Sequence, residues 1–200
     1  MNNYALEQAE ELFEQALEYF LGIEKEKNMI HAKELLQQSS ELGLSKSSNL
    51  LGDWYIKKII PGDNYKEAFK LYTRGYEFGD MRSFSRLAMC YEKGYGIKKD
   101  IPKALELYEK SVELGNKDAC FSIARIYEKG ENIKMDLSKA ILWYKRGYEK
   151  GDADCACNLA TCYYKGKGIE QNIEKAKEIF LAFSEYNTQN QRNLGVIFYK

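Results

Sequence analysis

Histidine is almost missing from this 200-residue chain: His31 is the only one. A single imidazole cannot supply a multi-histidine zinc site. No second His, Ser or Asp is arranged around it in a way that supports an acyl-transfer triad. Net charge is missing too, since 30 Lys and Arg balance 30 Asp and Glu. A dedicated nucleic-acid binder needs clustered cations to neutralise phosphates, so no nucleic-acid partner is expected. No apolar stretch approaches the roughly 18 residues of a membrane span. The N-terminal segment is polar and acidic, without the basic and apolar regions of a secretory signal. The expectation is a cytoplasmic protein with no membrane association. Prolines are few, at two. The five cysteines, Cys90, Cys120, Cys155, Cys157 and Cys162, are odd in number, which with no secretory signal points to reduced thiols. Cys155, Cys157 and Cys162 stand close in sequence, but without a fourth ligand the spacing is weak for a metal. No metal or cofactor is expected.

What is present is a core's worth of apolar residues, 44% of the chain, and sixteen tyrosines. Charge is unevenly spread: residues 1–43 hold nine Glu against three Lys, and the rest is mildly basic. This is either ordinary surface variation or an acidic end that docks a basic partner.

The dominant signal is a repeat of 36 residues. Gly43, Gly79, Gly115 and Gly151 follow that step, with Asn187 at the next. So do Tyr19, Tyr55, Tyr91, Tyr127 and Tyr163, and Ala32, Ala68, Ala104, Ala140 and Ala176. Asn28, Asn64, Asp100, Asp136 and Asn172 form a fourth series. The Asn/Asp residues precede a helical apolar run and suit its N-cap, where the side-chain oxygen takes an unpaired backbone N–H. The Gly43 series closes that helix, because glycine adopts the left-handed conformation cheaply. In one copy the helix places Ala104, Leu107, Tyr108 and Val112 inward, and in another Ala140, Leu142, Trp143, Tyr144 and Tyr148. The partner helix carries Leu87, Ala88 and Tyr91, or their equivalents, a small residue beside large ones. It ends at Gly22, Gly94, Gly130 or Gly166. Lys58 breaks that series, and Pro61-Gly62 is expected to make the turn instead. Five helix pairs are predicted, over about 8–43, 44–79, 80–115, 116–151 and 152–187, with a capping or partial helix over 188–200.

Gly94, Gly96, Ile97, Asp100, Lys103 and Ala104 resemble the Sel1-like signature G-x-G-V/I-x-x-D-x-x-K-A, and Gly166, Gly168, Ile169, Asn172, Lys175 and Ala176 repeat it. Trp143, Tyr144 and Gly151 resemble the second helix of that family. The first pair departs most, with Glu24 at the second Gly and His31 at the Lys. The resemblance implies an all-α fold, a right-handed α/α superhelix of Sel1-like helix pairs forming one solenoid over residues 1–200. It also implies use as an adaptor that holds a protein or peptide, with the chain monomeric apart from its partner. A secreted, cysteine-rich subgroup joins cysteines eight residues apart and is associated with β-lactam hydrolysis. Cys120 would pair with position 112 in that scheme, which is Val112, so the framework is absent.

The glycine loops follow a helix rather than a strand, so they are not read as phosphate cradles. Carboxylate pairs such as Glu106 and Glu109 have the spacing of a solvated helical face. Resemblance to related solenoids puts the first helix of each pair along a concave groove. The groove side is expected to show Lys46, Asn49, Asp53 and Ile56, then Arg82, Ser85, Met89 and Glu92. The next repeats contribute Asp118, Phe121, Arg125 and Glu128, then Asp154, Cys157, Thr161 and Tyr164. Ile56, Met89, Phe121 and Tyr164 are apolar where a non-binding surface favours charge, and Arg82 and Arg125 suit a ligand carboxylate. The alternative is that helix tilt buries this side. Three functional readings stand: a bacterial interaction module, of which a regulator or immunity protein is a specific version; a hydrolase; and a structural fragment of a larger protein.

Overall fold

The computed structural model describes residues 3–60 and 64–183. The expected helix at 188–200 and Asn187 lie outside them. Among the described residues all regular structure is helical, in five successive pairs. These are α1 (Asn3–Leu21) with α2 (Met29–Glu41), α3 (Ser45–Ile56) with α4 (Asn64–Glu77), and α5 (Met81–Lys93) with α6 (Ile101–Glu113). They continue as α7 (Asp118–Lys129) with α8 (Leu137–Glu149), and α9 (Ala153–Lys165) with α10 (Ile173–Ala182). The chain divides into two compact units, Met1–Leu107 and Tyr108–Lys200. No described helix is long and apolar enough to cross a membrane.

The loop inside each pair is built the same way. The first helix stops at a left-handed residue, Gly22, Gly94, Gly130 or Gly166, with φ between 67° and 78°. The cap residue then donates its own N–H back to the tyrosine carbonyl. Asn28 to Tyr19, Asp100 to Tyr91 and Asn172 to Tyr163 measure 2.9 Å, and Asp136 to Tyr127 measures 3.0 Å. The same cap side chain accepts from the second helix: Asn28 from His31 N, Asp100 from Lys103 N, Asp136 from Lys139 N and Asn172 from Lys175 N. One residue therefore closes the loop and starts the helix. The signature lysine lies over the tyrosine ring, Lys139 on Tyr127 at 5.1 Å and Lys175 on Tyr163 at 5.0 Å. In the first pair His31 meets Tyr19 edge-on at 4.5 Å. Asn64 differs: it is the first residue of α4, and its buried Oδ1 has no partner among the described residues.

Four details depart from the sequence expectation. Lys58 itself takes the left-handed conformation, at φ 55°, and so does not break the series; Pro61-Gly62 lies outside the described residues. Glu24 and Asn132 likewise take φ of 61° and 63° at the register of Gly96 and Gly168. Leu142 is 64% exposed, while Ile141 is buried. The face shared by Ala140 and Tyr144 turns Leu142 outward, as it does Glu106 and Glu178 at the same register. Tyr19, Tyr91 and Tyr127 are half-buried rather than core, whereas Tyr72, Tyr108 and Tyr144 are fully inside.

Second-helix to next-helix packing depends on paired small residues. At one register stand Ser39, Gly75, Ser111 and Gly147, and at another Ser47, Ser83, Ala119 and Cys155. Ser39 Oγ lies 2.6 Å from Ser47 Oγ. A Cβ on Gly75 would fall 2.2 Å from Ser83 Oγ, and one on Gly147 would fall 2.3 Å from Cys155 Sγ. At Gly75 and Gly147 the missing Cβ leaves the space that Ser83 and Cys155 fill. Gly147→Ser should therefore destabilise by about 2 kcal/mol in urea unfolding through overpacking. Adding Cys155→Ala, which copies the Ser111/Ala119 pair, should restore at least half of the loss. An additive double variant would contradict size matching.

Candidate functional site: the outward side of the first helices

The side of α3, α5, α7 and α9 proposed from sequence is neither fully open nor fully buried. Arg82, Asp118 and Asp154 are exposed. Lys46, Ile56, Ser85, Met89, Glu92, Phe121, Arg125, Thr161 and Tyr164 are half-buried. Asn49 and Cys157 are buried, at 3% and 8% exposure, and so are not surface residues. Both occupy the register of Ser85 and Phe121, which faces the neighbouring helix as well as solvent; tilt therefore does bury part of the stripe. Ser85 and Thr161 turn their hydroxyls onto their own helices, bonding Arg82 O and Cys157 O.

In the first unit the stripe is organised by an ion pair. Arg86 grips Asp53 with both ends of its fork, Nε to Oδ1 at 2.8 Å and Nη2 to Oδ2 at 2.6 Å. Tyr72 donates to the same Oδ1 at 2.6 Å. Burial raises the Asp53 carboxyl, but hydrogen bonds from Arg86 and Tyr72 outweigh it and hold it below its ordinary 3.8. Gly52 makes this possible, because a Cβ there would fall 2.5 Å from the Tyr72 ring. Asp53 is thus not a free groove carboxylate. Arg86 did not figure in the sequence reading. Its signal was present, as it is the one cation in the column Leu50, Arg86, Ser122 and Asn158.

Around this pair lies a cleft of about 500 Å³. Its walls come from Phe13 on α1, Lys46 and Leu50 on α3, and Met81 and Arg82 on α5. Asn49 contributes as well; Ser83 Oγ donates to its Oδ1 at 2.9 Å, while its buried Nδ2 has no partner among the described residues. Lys46 sits over the Phe13 ring at 4.4 Å, with Glu14 and Glu10 at 3.8 and 4.0 Å. The acidic N-terminal surface is therefore partly spent on this lysine.

In the second unit Glu128 is also committed. Lys167 from the glycine loop reaches it at 2.9 Å, and Tyr144 donates at 2.9 Å. Burial raises its carboxyl, yet the hydrogen bonds from Lys167 and Tyr144 leave it lowered. Arg125 lies over the half-buried Phe121 ring at 5.5 Å. Asp118 and Asp154 border a cleft of about 560 Å³ with Asp152 and Lys117. Burial, Asp152 and Asp118 together raise Asp154.

Elsewhere the side chains serve packing and pairing. Tyr76 packs on Phe84 and Tyr148 on Phe183, at 4.7 and 5.7 Å. Exposed Glu106 pairs with Lys103 at 2.8 Å. All five cysteines are buried free thiols, and burial pushes Cys90 up to about 12. Cys90 and Cys162 fill the core position taken by Trp54 and Ile126. No three His, Cys, Asp or Glu among the described residues are placed to hold a metal. The ring of His31 bonds Glu34 at 3.4 Å.

Replacing Asp53 with Asn should cost about 2 kcal/mol at neutral pH, because it leaves Arg86 half-paired. A carboxyl held low in the fold contributes stability above its unfolded pKa, and that stability is lost as pH falls through the folded value. The gap between native and Asp53→Asn unfolding free energies should narrow on acidification below about pH 4. A gap independent of pH would exclude an ionised Asp53.

The fold recurs in solved structures. A Sel1 repeat protein from Oxalobacter formigenes matches with a TM-score of 0.85 and 25% identity, over 96% of this chain and 79% of that one. A protective antigen of uropathogenic Escherichia coli with an SLR fold matches with a TM-score of 0.76 and 28% identity, over 94% of this chain and 41% of that one. An immunity protein from Pseudomonas aeruginosa matches in fold alone, with a TM-score of 0.56 and 19% identity, over 92% of this chain and 67% of that one. A comparison with curated proteins gave no match. The Sel1 repeat profile matches residues 12–44, 47–80, 85–116, 117–152 and 153–184, and on these five repeats the chain belongs to the Sel1 repeat family.

Proposed function

We propose that the chain is a non-enzymatic protein-interaction module that holds a peptide or a folded protein on the outward side of its first helices. Sel1 repeats are a helix-pair scaffold of the adaptor type, and membership in the family supports the coarse reading. The observation that carries the finer one is Phe121 with Arg125. Both are half-buried, and the guanidinium lies over the ring with no ion pair among the described residues. Aromatic residues and arginine concentrate at binding surfaces because they combine large apolar area with directed polar contact. Tyr164 adds to this chemistry on α9 of the same unit, and Ile56 and Met89 are the apolar residues of the stripe on α3 and α5 of the first unit.

A narrower version is a regulator or immunity protein that masks one toxin or enzyme. It draws on the likeness in fold to the Pseudomonas aeruginosa immunity protein, and on no shared residue. The cytoplasm is the proposed location and a monomer the proposed free state.

Affinity purification from the native host, with captured proteins identified by mass spectrometry, should return a specific partner. The Phe121→Ala/Arg125→Ala double variant should lose that partner at least tenfold. Its melting temperature should fall by only a few degrees, since neither side chain fills the core. Undiminished capture by the double variant would place the binding surface elsewhere.

A further inference from the structure

We infer that the cleft of the first unit receives a single carboxylate from an acidic segment of a protein partner, an Asp or Glu side chain flanked by an apolar residue. This rests on the interaction-module reading and names the chemistry of one of its surfaces.

The inference begins with an unpaired donor. Asn49 is 3% exposed, and only one end of its amide is used, the Oδ1 that accepts from Ser83. The Nδ2 is buried without an acceptor among the described residues. A buried donor left unmade is costly, so such a group calls for an acceptor. An incoming oxygen reaches it after a rotamer change at the rim, where Arg82 and Lys46 are long, solvent-facing side chains that permit one.

Charge decides which oxygen. Arg86 is engaged by Asp53, and Asp80 uses Oδ1 on the first amides of α5. The cations without a close partner are Arg82, with no ion pair among the described residues, and Lys46, whose carboxylates Glu14 and Glu10 stand off at 3.8 and 4.0 Å. A carboxylate entering between them finds two cations and the Asn49 amide, all donors. Glu10 and Glu14 beside Lys46 repel a polyanion, which sets a single carboxylate apart from a phosphate backbone. Phe13, Leu50 and Met81 supply apolar wall for the neighbouring residue. The register reinforces this locality. The position that holds Lys46 and Arg82 in the first unit holds Asp118 and Asp154 in the second. A carboxylate is thus drawn to the first unit and repelled by the equivalent positions of the second.

The test uses the full chain and an acetylated, amidated Gly-Leu-Asp-Leu-Gly peptide, which carries one carboxylate, with Asn and Lys versions as controls. At low salt the Asp peptide should bind at least tenfold more tightly than either control and should shift the Asn49 side-chain amide signal in a nitrogen-15 NMR spectrum. Arg82→Ala and Lys46→Ala should each weaken it fivefold or more while leaving the melting temperature unchanged. Equal binding of the three peptides, indifference to Arg82→Ala, or a still Asn49 signal would overturn the inference. Equal affinity for a single-stranded oligouridine would also overturn it, by showing a general polyanion site. Peptide failure alongside loss of capture in Phe121→Ala/Arg125→Ala would remove the cleft and keep the interaction module. Peptide binding with unchanged capture would do the reverse.

Discussion

The hydrogen bond from each cap residue's N–H to the tyrosine carbonyl of the preceding helix is the constraint on which the repeat depends. It is present in four of the five pairs, at 2.9–3.0 Å. It fixes where the second helix begins relative to where the first ends, and so fixes which faces of the two helices meet. The left-handed glycine makes the reversal tight enough for the bond to form. The second glycine has a different task. A Cβ on Gly96 would fall 2.3 Å from Tyr65 O, and one on Gly168 would fall 2.7 Å from Leu137 Cβ. That loop thus seats directly on the start of the previous second helix. Turn chemistry inside a pair and close approach between pairs are served by neighbouring residues of one short motif.

Much of this was legible because a repeat multiplies weak signals. One Asn or Asp before an apolar run is a poor cap prediction; five such residues at a fixed step are a strong one. A further series went unread although it was equally visible. Asp80, Asn116 and Asp152 stand one step after the closing glycines and accept from the amides that open α5, α7 and α9. Leu44 holds that register in the second pair and offers no such bond. The Ser39/Ser47 and Gly147/Cys155 pairs were not legible, because matching by volume keeps no residue type constant. Lys58 was misread for a related reason. Sequence shows that glycine is missing there, not that the surrounding bonds hold a lysine at φ 55° regardless.

The candidate surface was legible as a register and not as a chemistry. Counting from the buried Leu-Ala-Tyr positions located the outward stripe, but not the pairing within it. Asp53 and Glu128 are consumed by Arg86, Lys167 and two buried tyrosines. What remains is Phe121 with Arg125 in one unit and Lys46 with Arg82 in the other. Caps, glycines, alanines and inner tyrosines hold the scaffold; these side chains do not. Separation of those roles is what lets a repeat family keep one fold while its binding surface varies.

Hydrogen exchange, measured by mass spectrometry on the free chain and on its complex with the captured native partner, tests that separation most directly. Slowed exchange should concentrate in peptides from the first helices, α3, α5 and α7, with the loops and second helices little changed. Protection confined to the second helices, or spread evenly along the chain, would contradict it.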